Sequence, residues 1–142
     1  MDDPYDLRRF VEAQNPVFDT VIDELRAGRK RSHWMWFVFP QLRGLGTTAM
    51  AEKYGIESRD EAAAYVAHDV LGPRLRRCAQ LVTQSGAVTA SEFMGSVDAL
   101  KLSSSMTLFA EVTDDDHDFT AVLDKYYAGQ RDKQTLRMLA SS

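Results

Sequence analysis

Two stretches of this chain of 142 residues carry side chains able to do chemistry. The first spans residues 28–41 and reads Gly-Arg-Lys-Arg-Ser-His-Trp-Met-Trp-Phe-Val-Phe-Pro-Gln. Arg29, Lys30 and Arg31 are basic, His33 is cationic when protonated, and residues 34–39 are all apolar and include both tryptophans of the chain. A basic turn on an aromatic platform suits a ligand that joins a phosphate to a flat ring. Guanidinium groups donate in a fork to phosphate oxygens, and Trp34 or Trp36 offers a stacking wall. Gln41, at the end of the segment, joins the candidate ligand-binding set. An aromatic core segment behind a solvated basic turn has the same composition, so both readings stand. His33 lies where charge meets core. An imidazole suits a general acid or base, and equally a structural hydrogen bond, because no local acid orients the ring.

The second stretch is the helix expected over residues 96–112. On a helical wheel starting at Val97, the residues Leu100, Leu102, Met106, Leu108, Phe109 and Val112 gather into one apolar arc. Lys101, Ser104 and Ser105 fall inside that arc, each between apolar neighbours. Ser103, Thr107, Ala110 and Glu111 form the expected solvent face. An ammonium and two hydroxyls turned inward cost free energy unless paired, so they mark a buried polar network or the floor of a pocket. A lysine snorkelling outward from the first turn is the plainer alternative. Lys101 and His33 are the candidates for proton transfer. With Arg29, Lys30, Arg31, Trp34, Trp36, Gln41, Ser104 and Ser105 they make up the candidate ligand-binding set.

Other signals are weaker. His-Glu-x-x-His, Cys-x-x-Cys and Gly-x-Ser-x-Gly are absent, so no metal and no cofactor are expected. Gly44-Leu45-Gly46-Thr47-Thr48 lacks the lysine and the spacing of a phosphate loop and reads as a turn opening a helix. Asp114, Asp116 and Asp118 start like a calcium loop. Phe119 and Lys125 then stand where the loop needs glycine and glutamate, which leaves carboxylates at a helix N-terminus.

The elements that must position these residues read as helices. Asp3-Pro4 and Asn15-Pro16 are start signals, and Gly28 is a stop for the stripe Val17, Val21, Ile22, Leu25. A short helix runs over residues 47–54 before Gly55, and Ser58 with Glu61 has capping-box spacing. Gly72-Pro73 opens or tightens a helix with the stripe Leu71, Leu75, Cys78, Leu81, Val82. Phe119, Val122, Leu123, Tyr126 and Tyr127 recur up to Gly129, and Asp132 caps a last helix with Leu136 and Leu139. The run 34–39 fits a buried strand or a buried helix, and Ser32 before it and Pro40 after it favour the helix. The expectation is an all-α, compact bundle of six to eight helices, with residues 1–142 forming one domain.

Composition bounds the function. At 44% apolar and 27% charged, the chain has enough apolar periodicity for one core and is not a disordered polymer. The longest apolar run is six residues, against the roughly 20 of a membrane-spanning helix. The formal charge of −4 disfavours a dedicated nucleic-acid binder. It is uneven, however: residues 1–53 carry eight basic and eight acidic side chains, and residues 54–142 carry nine and thirteen. The single cysteine, Cys78, and an acidic N-terminus without an apolar core point to the cytoplasm.

Gly28-Arg29-Lys30-Arg31-Ser32-His33-Trp34-Met35-Trp36-Phe37, with Phe39-Pro40-Gln41 and Gly44-Leu45-Gly46, resembles an uncharacterised bacterial and fungal domain family sometimes labelled calpastatin-like. Residues 101–109 and the C-terminal Tyr126-Tyr127-Ala128-Gly129 extend the resemblance, which runs from about residue 5 to residue 139. It implies a small, mainly helical fold and assigns no reaction. A calpastatin-type inhibitor is a flexible polar chain, which this apolar periodicity contradicts. Three functions follow as expectations. The first is binding of an anionic, nucleotide-like small molecule between residues 29–41 and the helix of Lys101, with His33 and Lys101 in one cleft. The second is a protein-interaction module. The third is weak RNA binding through residues 26–31.

Overall fold

The Asp3 carboxylate accepts hydrogen bonds from the Leu7 and Arg8 amides at 2.8 and 3.0 Å. It therefore caps a turn, and the first helix starts at Arg8, later than the Asp3-Pro4 signal suggests. The computed structural model describes residues 3–141. Ten helices follow in order: α1 (Arg8–Gln14), α2 (Phe18–Ala27), α3 (Met35–Val38), α4 (Ala49–Tyr54), α5 (Arg59–Ala67), α6 (Leu71–Gln84), α7 (Ala90–Met94), α8 (Ser96–Val112), α9 (His117–Tyr127) and α10 (Lys133–Ala140). The class is all-α, as expected, but the count exceeds six to eight. Among the ten, the five-residue α7 has no counterpart in the expected helices, because it is too short for a readable period. The ambiguous run 34–39 is helical at its centre.

Several ends fall where the local chemistry puts them. Gly28 closes α2 at φ 70°, a left-handed conformation that costs glycine little. Thr48, Ser58, Thr89 and Asp132 each accept a backbone N–H at the start of α4, α5, α7 and α10. Asn15-Pro16 does not cap α2, whose N-cap is Val17 with no side-chain bond.

The core is aromatic at its centre. The Tyr65 ring lies 5.0 Å from Phe10, edge-on, and 5.2 Å from Phe109, which in turn lies 5.9 Å from Phe119. Helix α8 runs through this core, packed against α5, α7, α9 and α10. That position corrects the expected solvent face. Thr107 and Ala110 are buried, whereas Val97 and Leu100 are 66% and 71% exposed. A wheel assigns one solvent face along a whole helix. Here the C-terminal half of α8 is enclosed and the N-terminal half projects, so the exposed side changes along its length.

Residues 41–56 fold back beside α8. An isolated parallel bridge joins Leu42 to Ile56; the Arg43 amide donates to Ile56 O at 2.8 Å, and the Ile56 amide donates to Gln41 O at 2.9 Å. Gly55 makes the closure possible, because a Cβ there would stand 2.7 Å from the Arg43 Cα and 2.8 Å from Ala51 O. Gly55→Ala is therefore expected to lower stability by about 1–3 kcal/mol, the usual cost of overpacking. Gly86→Ala, where the new methyl meets nothing within 4 Å, is the control that leaves the urea midpoint nearly unchanged.

Candidate ligand-binding site

The basic turn is organised by an acid. From α2, the Glu24 carboxylate accepts four hydrogen bonds: from the Arg31 amide at 2.7 Å, the Ser32 amide at 2.9 Å, the Ser32 hydroxyl at 2.6 Å and Trp34 Nε1 at 3.0 Å. Burial raises the carboxyl's pKa, but the four donors outweigh it and hold Glu24 at about 2. Every one of these partners is electrically neutral, so the turn keeps its cations for other contacts.

Lys30 uses its charge at once. Its side chain is 6% exposed, with Nζ 2.8 Å from Asp98 Oδ2 on α8 and 4.9 Å from the Trp34 ring centre. It also donates to Ser32 O at 2.6 Å, and the Lys30 amide donates to Phe93 O at 2.8 Å. Asp98 is shared. Lys101 Nζ lies 3.6 Å from Asp98 Oδ1 and 4.8 Å above the Trp36 ring, with 21% of its side chain exposed. The two segments singled out in the sequence thus meet through one carboxylate between two lysines.

Beside this cluster an open cleft of about 470 Å³ is walled by Gln41, Thr48, Lys101, Ser104, Asp132 and Gln134, with Leu45, Val97 and Leu100 also lining it. A cavity of about 10 Å³, room for roughly one water, shares Gln41, Ala51 and Lys101 with the cleft and is lined by Trp36. Among the described residues Trp36 Nε1 is buried without a hydrogen-bond partner. A desolvated N–H of that kind costs about 1–3 kcal/mol until an acceptor meets it. Lys101, Trp36 and Gln41 therefore bring donor groups to one junction.

The structure unites only part of the expected set. Lys101, Ser104, Trp36 and Gln41 lie at the cleft and its adjoining cavity. The Ser104 hydroxyl donates to Leu100 O at 3.2 Å. Trp34 is buried and bonded to Glu24, and Lys30 reaches Asp98 without lining the cleft. Arg29, Arg31 and His33 are exposed and line neither depression. The expected sharing of one cleft by His33 and Lys101 is not found: His33 is exposed and lines neither the cleft nor the adjoining cavity. Ser105 is fully buried and its hydroxyl has no partner among the described residues, so it belongs to the core side of α8. In the acidic run, Asp118 accepts from Arg76 and Gln80, and His117 Nδ1 lies 2.7 Å from Asp115, a local network at the start of α9.

Sequence reasoning missed Glu24 and Asp98. Glu24 lies three residues after Val21 and beside Leu25, so the wheel applied to Lys101 exposes it as a carboxylate on an apolar stripe. Asp98 precedes Lys101 by three residues, the spacing of a helical ion pair.

These features define an all-helical fold with a lysine-lined cleft beside its central helix and a small tryptophan-lined cavity adjoining it. The chain belongs to the family described as protein of unknown function (DUF1810), whose model matches residues 4–139. It is similar to the conserved hypothetical protein Rv1873 from Mycobacterium tuberculosis, whose crystal structure superposes with a TM-score of 0.97 at 58% identity, over 99% of this chain and 100% of that one. Comparison with curated proteins finds no match. Neither description carries the calpastatin label. Among the described residues no helix is long and apolar enough to cross a membrane.

The Glu24 network sets a pH response. Its folded-state pKa, about 2, is lower than the ordinary 4.5, so its contribution to stability is complete above about pH 4.5 and is lost as pH falls toward 2. Urea midpoints followed from pH 6 to pH 2.5 are expected to fall less steeply in Glu24→Gln than in the wild type across that window.

Proposed function

We propose that the cleft beside α8 binds a phosphate-bearing small molecule of nucleotide type, with Lys101 as its anion anchor. The observation that carries this reading is the charge arrangement at Asp98. One carboxylate faces two ammonium groups, and the buried Lys30 holds it more closely, at 2.8 Å against 3.6 Å. The cluster is left with a surplus positive charge on its solvent-facing member. Gln41 and Thr48 supply neutral polar groups in the same cleft, while Leu45, Val97 and Leu100 offer apolar area to a base. The Trp36 N–H, beneath the Lys101 ammonium, is a donor for an acceptor entering the adjoining cavity. Arg29 and Arg31, exposed and outside the cleft, act only through their long-range field. This function is binding; no reaction is assigned.

Val97 and Leu100 favour a second reading, a protein-interaction module, because two large apolar side chains stand exposed at i, i+3 on one helix. A thermal-shift screen against nucleotides and phosphorylated metabolites separates the two. A ligand at about 100 times its dissociation constant is expected to add roughly 2.7 kcal/mol of stability, and Lys101→Ala is expected to abolish the gain in a folded protein. No shift with any compound, together with partner capture that survives both Lys101→Ala and Ser104→Ala, favours the interaction module instead.

A further inference from the structure

A second depression, of about 440 Å³, adjoins the cleft and shares Asp132 and Gln134 with it. Its cations are Arg131, Lys133 and Arg137. They are not equivalent. Arg131 is ion-paired to Glu111 and Asp116. Lys133 and Arg137 are exposed, sit at i and i+4 on α10, and have no acidic partner among the described residues. Like charges at that spacing repel and weaken a helix. An anion resting between them removes that repulsion.

Between the two cationic ends stands an acid. Asp132 lines both depressions; its Oδ2 accepts from the Thr135 amide at 2.9 Å and from the Thr135 hydroxyl at 2.6 Å, and its Oδ1 has no donor among the described residues. Across both depressions the lining thus offers a cation at Lys101, an anion at Asp132 and a cation pair at Lys133 and Arg137. An unbroken polyphosphate fits this order badly, because its charge passes over the carboxylate. A ligand with anions at its ends and hydroxyl or amine donors between them fits it well, since a carboxylate accepts from sugar hydroxyls.

Resting on the reading of Lys101 as a phosphate anchor, we propose that the full ligand is a bisphosphate of nucleoside type. One phosphate lies at Lys101, the sugar hydroxyls lie at Asp132, and the second phosphate lies on Lys133 and Arg137.

The test compares adenosine 3′,5′-bisphosphate with adenosine 5′-monophosphate by titration calorimetry on the full chain at fixed salt. The bisphosphate is expected to bind about tenfold tighter or more, through charge-assisted contacts to the second phosphate. In Lys133→Ala/Arg137→Ala that advantage is expected to vanish, while monophosphate affinity stays as in the wild type. Circular dichroism confirms that the variant, altered only at exposed helical positions, remains folded. Equal affinities in the wild type, or an advantage that survives the double substitution, overturns the bisphosphate proposal and leaves Lys101 as a monophosphate anchor. Binding of neither compound overturns the bisphosphate proposal, and Lys101 is then judged separately by the wider thermal-shift screen.

Discussion

The Glu24 carboxylate is satisfied entirely by neutral donors, and the arrangement around the cleft depends on that choice. A carboxylate this deep needs several hydrogen bonds or a cation. Had Lys30 or Arg31 supplied the cation, the turn would have closed on itself. Two backbone amides, a hydroxyl and an indole satisfy it instead, and in doing so they fix both the path of residues 31–34 and the plane of Trp34. Lys30, set over that ring, is then free to reach another helix and meet Asp98. The order of dependence runs from α2 to the turn, from the turn to Trp34, and from Lys30 to α8.

The second determinant is the unequal enclosure of α8. The helix packs against α5, α7, α9 and α10, and its C-terminal half buries Ser105, Thr107 and Phe109 together. The Thr107 hydroxyl accepts from the Asp132 amide at 2.8 Å, which ties the start of α10 to the middle of α8. The N-terminal half of α8 leaves Val97 and Leu100 exposed, and Lys101 and Ser104 lie on its transition to the enclosed half. A cleft forms there because residues 41–56 approach from one side, held by the Leu42–Ile56 bridge, and α10 from the other.

The helical class, the glycine stop of α2, the long helix 96–112 and the caps at Ser58 and Asp132 were legible in the sequence, since each rests on contacts within a few residues. The composition of the cleft was only half legible. Lys101 and Ser104 stood out as polar groups on an apolar arc, but the same arc placed Val97 and Leu100 inside and Thr107 outside. The error has a physical origin: which side of a helix is buried is decided by its neighbours, and those differ between its ends. His33 illustrates the converse. Its chain position beside Trp34 suggested a place at the site, yet local adjacency cannot tell which side of a turn faces the molecule. The path of the neighbouring turn is held by Glu24, eight residues earlier than Ser32.

The lysine pair also bears on how the proposed anion would enter. Drawing Lys101 away from Asp98 would normally strand a carboxylate in a partly buried place, a large penalty. Here Lys30 stays at 2.8 Å from the other carboxylate oxygen, so Asp98 keeps a closer counter-ion whatever Lys101 does. Lys101 keeps its own compensation as well, because the Trp36 face beneath it attracts the ammonium without tying up any N–H donor. The ammonium is thereby held by two contacts that leave donors available, one of them long. An isolated Lys101–Asp98 pair would resist an incoming anion by the full strength of its own attraction. The three-membered cluster resists it less, and the difference comes from the lysine that never touches the cleft.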